Sequence, residues 1–181
     1  MLHIISPIFS VFISGKTYLL NVILQYVAHV NQSSIASCFT GSGASLLLNG
    51  ATCHKSFGLP LILDKNITSE LRPGSNKAKS LRAADIIIID EVSMVHKFYI
   101  DLINKLLQST SDNTNAFGNK LLIGTGDFRQ TLPIRPGSSN AAMKKSTIFH
   151  SKVFVSNTVT HALIFFFLTF VTWFFHFYHL S

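Results

Sequence analysis

Two short runs carry residue types that can do chemistry: Ile86-Ile87-Ile88-Ile89-Asp90-Glu91 and, well upstream, Gly15-Lys16-Thr17. Four apolar β-branched residues ending in two carboxylates describe a buried parallel strand that delivers acids to the carboxyl edge of a sheet. Gly-Lys-Thr ahead of a helical pattern describes the end of a phosphate-binding loop. In such a loop the backbone amides cradle phosphate, the lysine reaches the β- and γ-phosphates, and the hydroxyl binds Mg²⁺. Together the runs imply a site for a nucleoside triphosphate with Mg²⁺. Asp90 is then suited to hold the metal and Glu91 to polarise an attacking water. The plainer alternative is a strand that ends in solvated acids.

The loop departs from the full phosphate-binding pattern in its first half. Ser10 stands where a leading glycine belongs, and Phe12 and Ile13 are bulky. A β-branched residue resists the positive φ that a phosphate nest uses. Two further constellations carry polar chemistry. In Gly126-Asp127-Phe128-Arg129-Gln130-Thr131-Leu132-Pro133-Ile134, a glutamine just past a strand could contact a γ-phosphate or its attacking water. An ordinary strand-to-loop turn with an exposed Arg129 is the alternative. In Thr40-Gly41-Ser42-Gly43-Ala44-Ser45 and Gly50-Ala51-Thr52-Cys53-His54, small residues with free amides and hydroxyls suit a phosphodiester backbone. A flexible loop with a structural His54 reads equally well.

These residues need elements to position them. Residues 8–13 are expected to form a strand leading into the loop at 14–17. Leu19, Leu20, Val22, Ile23, Tyr26, Val27 and Val30 predict a helix with one buried face over 18–30. Ser34–Phe39 reads as a second strand, Thr40–Ala44 as a loop, and Ser45–Leu48 as a helix start. Pro60–Ser80, with Pro73-Gly74, reads as a surface loop. Ala83–Asp90 is the most clearly marked strand. Phe98–Leu107 has helical spacing, Ser109–Asn119 is a polar turn, and Lys120–Gly124 is a short strand. Strands alternating with helices argue for an α/β fold with a parallel sheet.

The chain has 181 residues, enough for one domain with a core. Its net charge of +7 favours a polyanion partner, although solvated surface lysines explain such an excess equally well. Cys38 and Cys53 match no metal or redox spacing, which makes a reducing intracellular setting the default. No Lys or Arg precedes the apolar stretch at the N-terminus, which argues against a secretory signal. The mean hydropathy of +0.37 is high for a soluble domain, and the excess is local. Seven of the 16 Phe fall in the last twenty residues, and no Lys, Arg, Asp or Glu follows Lys152.

The four blocks, in this order, resemble the Pif-like 5′-to-3′ DNA helicases, including those of Helitron-type transposons. The resemblance runs from about Gly15 to Phe154. It is carried by Gly15-Lys16-Thr17-Tyr18-Leu19-Leu20-Asn21, the Gly41–His54 block with Phe57 and Pro60, and Ala84-Asp85 through Asp90-Glu91-Val92-Ser93-Met94. Gly126-Asp127-Phe128-Arg129-Gln130 through Pro133, led in by Phe117-Gly118-Asn119-Lys120, completes it.

The resemblance implies a first RecA-like P-loop NTPase domain over residues 1–155, with a mostly parallel sheet flanked by helices, and an apolar tail over 156–181. It implies ATP and Mg²⁺ as cofactors and single-stranded DNA as partner, in an intracellular, nuclear setting linked to DNA repair and recombination. Gly15, Lys16, Thr17 and Tyr18 would bind nucleotide, and Thr17 and Asp90 would hold Mg²⁺. Glu91 would be the catalytic base, acting with Lys16 and with Gln130 as γ-phosphate sensor. Thr40, Gly41, Ser42, Gly43 and His54 would lie along DNA. A second RecA-like lobe, which completes the family's motor, is expected after this point. A single lobe is therefore expected not to translocate by itself, and a non-catalytic nucleotide- or DNA-binding remnant is the rival reading.

The pattern is lost at about Val155. Ala162–Leu180, 19 residues, is long enough to span a bilayer. Trp173, His176, Tyr178 and His179 would suit its interface, and Lys144, Lys145 and Lys152 would keep the globular part cytoplasmic. A membrane partner is expected only if this tail is a genuine anchor; the alternatives are out-of-frame sequence at a gene end, or a core strand.

Overall fold

The computed structural model describes residues 15–62, 68–126, 146–155 and 163–167. Its frame is a five-stranded, all-parallel sheet in the order β2-β1-β3-β4-β5. The strands are β1 (Ser34–Cys38), β2 (Ala51–Thr52), β3 (Ile86–Asp90), β4 (Leu121–Gly126) and β5 (Leu163–Phe167). The helices are α1 (Lys16–His29), α2 (Gly41–Leu46), α3 (Cys53–Phe57), α4 (Asn76–Ala83), α5 (Lys97–Ser111) and α6 (Lys152–Val155).

The isoleucine run explains the layering. Successive side chains of a strand point to opposite faces. Ile87 and Ile89 enter one core with Phe57, Leu81, Ile103, Leu107 and Phe117, under α3, α4 and α5. Ile86 and Ile88 enter the other with Leu20, Leu24, Val27 and Ala44, under α1 and α2. All five residues of β3 are buried, as a central parallel strand covered on both faces requires.

The structure corrects several element boundaries. The segment 60–80 is not wholly loop, because α4 begins at Asn76. Ser75 caps it by accepting from the Ala78 amide, and only Ala78 and Leu81 of this polar helix are buried, so no apolar period marks it. Helix α2 begins at Gly41 rather than Ser45, because the Thr40 hydroxyl caps it through the Gly43 amide. Helix α5 continues to Ser111, into the expected turn, with the Thr110 hydroxyl donating to the carbonyls of Leu106 and Leu107. Strand β3 starts at Ile86 rather than Ala83, and β4 spans Leu121–Gly126 rather than 120–124. The expected strand over 8–13 lies outside the described residues.

Leu163–Phe167, within the apolar stretch considered as a membrane span, pairs in parallel with β4. Among the described residues no helix is long and apolar enough to cross a membrane.

Candidate functional site at the carboxyl edge of the sheet

In a parallel sheet every strand ends at the same edge, so β1, β3 and β4 bring Cys38, Asp90 and Gly126 to one rim. Helix α1 is anchored at both ends. Near its C-terminus the chain turns into β1, where the Ser33 amide donates to the Asp85 carboxylate at 2.9 Å, beside the start of β3. Toward its N-terminus, Asn21 donates to the Leu46 carbonyl at 2.9 Å and accepts from the Leu48 amide at 2.7 Å, beyond the carboxyl end of β1. The helix therefore runs antiparallel to the strands, and Gly15-Lys16-Thr17 lies toward the edge that carries Asp90. Those three residues are half-buried. Among the described residues no side chain caps this helix, and its first turn holds no acid, an arrangement that suits its amides to an anion. Tyr18 is 75% exposed.

Asp90 is 5% exposed. Its Oδ1 accepts from the Thr125 hydroxyl at 2.6 Å and from the Glu91 amide at 2.8 Å. Both bonds fall on one oxygen, and Oδ2 is bonded to no described residue. Among the described residues Asp90 therefore keeps one carboxylate oxygen without a partner at this edge, a hard oxygen donor of the kind Mg²⁺ prefers.

Glu91 adopts the left-handed conformation (φ 55°, ψ 35°), which is uncommon for a residue with a side chain. Its carbonyl accepts from the Met94 amide at 2.9 Å, closing a short 3₁₀ turn directly after Asp90. The side chain is thereby turned toward the end of β1. There its Oε2 accepts from the Thr40 hydroxyl at 2.6 Å and from the Cys38 thiol at 3.3 Å. Burial, first, and then the nearby Glu91 push the Cys38 thiol up to about 11 while Thr40 pulls against them, so it stays protonated and donates. Burial likewise raises Cys53.

The expected DNA-contacting residues divide. Gly41 and Ser42 are exposed. Thr40 is half-buried and committed both to Glu91 and to capping α2. Gly43 has a packing reason of its own, since a Cβ there would sit 2.3 Å from the Cys38 sulfur. His54 lies between two aromatic rings, 5.5 Å from Phe39 and 5.4 Å from Tyr99. Gln130, with the rest of 127–134, lies outside the described residues.

Burial lowers the His54 pKa below its ordinary 6.5. The folded state thus favours the neutral ring. Its contribution is present above about pH 6.5 and is lost as pH falls through the folded value. Thermal melts at descending pH should show a loss of stability below about 6.5 that His54→Phe reduces. An unchanged pH profile in that variant would remove His54 from the account.

Sequence reading missed Thr125 and Cys38. Thr125 had an available signal: β3 and β4 pair in parallel with Ile89 opposite Gly124, so the next positions, Asp90 and Thr125, are neighbours.

A parallel sheet with helices on both faces, and an uncapped helix N-terminus and two acids gathered toward one edge, is a RecA-like α/β domain. The chain belongs to the PIF1-like helicase family, whose profile matches residues 12–166. It is 28% identical over 145 residues to the ATP-dependent DNA helicase Pif1 of Psychrobacter sp. (strain PRwf-1), covering 78% of this chain and 21% of that one. It is 30% identical over 131 residues to ATP-dependent DNA helicase PIF1 of Danio rerio, covering 71% of this chain and 20% of the relative. The fold matches a crystal structure of Pif1 helicase from Bacteroides in complex with ADP-AlF3 and ssDNA, with a TM-score of 0.69 and 25% identity, over 86% of this chain and 36% of that one. Pif1 helicase from Candida albicans matches with a TM-score of 0.62 and 22% identity, over 84% of this chain and 34% of that one. The chain thus spans about a fifth of the length of these curated relatives.

Proposed function

We propose that this chain is the nucleotide-binding motor lobe of an ATP-dependent, 5′-to-3′ DNA helicase acting in DNA repair and recombination. The observation that carries the reading is the shared edge: the open N-terminus of α1 and the Asp90-Glu91 pair lie toward the same rim of the sheet. Lys16 binds the β- and γ-phosphates. Thr17 and Asp90 would hold Mg²⁺, which when bound neutralises charge on the phosphates. Glu91 accepts the proton of the water that attacks the γ-phosphorus as the bond to the ADP oxygen breaks. Gln130 senses the γ-phosphate. Single-stranded DNA lies along the 40–54 block, and a nuclear setting goes with that partner. The lobe expected over residues 1–155 extends through β5 (Leu163–Phe167), the strand paired with β4, and coupling of turnover to unwinding belongs to the complete enzyme.

Hydrolysis of ATP that is stimulated by single-stranded DNA and lost in Lys16→Ala and Glu91→Ala is the expected result. Salt-sensitive DNA binding without turnover would favour the second reading, a non-catalytic nucleotide- and DNA-binding remnant. The bulky Phe12 and Ile13 and the non-glycine Ser10 in the phosphate loop support that rival.

A further inference from the structure

We infer that Thr40 is a positioning residue for Glu91: its hydroxyl holds the carboxylate against the end of β1, and DNA on the Thr40–Ser45 turn releases it. The inference rests on the reading of Glu91 as the base and of this turn as a DNA contact.

One atom joins the two. Thr40 Oγ1 has a single proton, and it goes to Glu91 Oε2 at 2.6 Å. The same Oγ1 accepts from the Gly43 amide at 3.2 Å and from the Ser42 hydroxyl at 3.4 Å, so its lone pairs belong to the turn. Oε2 of Glu91 has two lone-pair sites, and the Cys38 thiol takes the second at 3.3 Å. With both occupied, proton transfer from water falls to Oε1, and the Thr40 bond fixes where Oε1 points. The left-handed backbone at Glu91 is what aims the side chain sideways at Thr40.

The turn is built to pass on a displacement. Gly41, Ser42 and Ser45 are exposed, whereas Cys38 and Ala44 beneath them are buried. The far end of α2 is tied to α1 through Asn21. A polyanion seated on the exposed side can therefore move Thr40 against a fixed floor, and any movement of Oγ1 alters its bond to Glu91. DNA-stimulated turnover would then follow from one hydrogen bond made without DNA and loosened with it.

Glu70 and Glu91 are the only glutamates in the chain. Glutamate labelled with carbon-13 at its side-chain carboxyl therefore gives two signals, and Glu70→Gln assigns them. The full chain is titrated with an oligothymidylate of about ten nucleotides, with binding followed in parallel by fluorescence anisotropy. Saturation should move the Glu91 signal in wild type and in Thr40→Ser, which keeps the hydroxyl. In Thr40→Val the signal should start displaced and stay there. Binding with a stationary Glu91 signal in wild type overturns the coupling alone, and decides the matter even if Thr40→Val does not fold. An equal movement in Thr40→Val overturns it as well. An absence of binding removes the DNA reading and the coupling together.

Discussion

Glu91→Gln is expected to lower ATP turnover by about 10²–10⁴-fold while nucleotide binding stays within a few-fold of wild type. That ratio corresponds to about 2.7–5.4 kcal/mol of lost transition-state stabilisation. Glutamine keeps the length and planarity of the side chain, and its carbonyl oxygen can still accept from the Thr40 hydroxyl, 2.6 Å from Oε2 in the wild type. The left-handed backbone at position 91 strains both residues alike, so the variant isolates the loss of a proton acceptor. Glu91→Ala is the coarser change, because it also leaves the Thr40 hydroxyl and the Cys38 thiol without their acceptor. Phosphate release in the presence of single-stranded DNA, set beside binding of a fluorescent ATP analogue, checks the expectation. Equal turnover in wild type and variant would move the base to another group and leave Glu91 as a turn residue.

The difference between what the sequence reveals and what it conceals has a physical cause. Helices α1 and α5 and strand β3 bury apolar faces, and burial leaves a period in the sequence. Helix α4 buries only Ala78 and Leu81 and is specified by its Ser75 cap, which the Pro73-Gly74 turn nearby hides. The acids were legible because they end an apolar run. Their partners were not: the Thr40 hydroxyl reaches Glu91 across 51 residues of chain, and Thr125 reaches Asp90 across 35. Such bonds follow from strand order and register, and those follow from packing as a whole. Thr40 itself was visible as a small polar residue suited to a phosphodiester, but its commitment to an acid was not. β5 falls in a stretch so uniformly apolar that a strand, a membrane span and noncoding translation share one composition.

Gly118→Ala is expected to destabilise the fold by about 2–5 kcal/mol, and the reason lies in the lead into β4. Phe117, Gly118 and Asn119 are all left-handed, with φ of 52°, 64° and 64°. The turn brings Phe117 wholly inside the core and fixes its amide on Asn104 at 2.7 Å. It also delivers Lys120, whose buried ammonium donates to the carbonyls of Arg82 and Ala84 at 2.9 Å and 2.6 Å, tying β4 to the end of α4. Gly118 makes the closest approach: a Cβ would meet the Leu107 carbonyl oxygen at 2.5 Å and its carbon at 2.9 Å. Leu107 is wholly buried and its carbonyl also accepts from the Thr110 hydroxyl, so these backbone atoms cannot readily step aside. Alanine therefore bears about 1–2 kcal/mol for the left-handed conformation and a further 1–3 kcal/mol or so for overpacking. Gly74→Ala separates the two contributions, because Gly74 is also left-handed (φ 76°) but has nothing within 4 Å of a Cβ. Urea unfolding should place Gly74→Ala near the conformational cost alone and Gly118→Ala well beyond it. Equal losses would mean that α5 yields at Leu107, and β4, with the Thr125 that holds Asp90, would then be less firmly located than this turn implies.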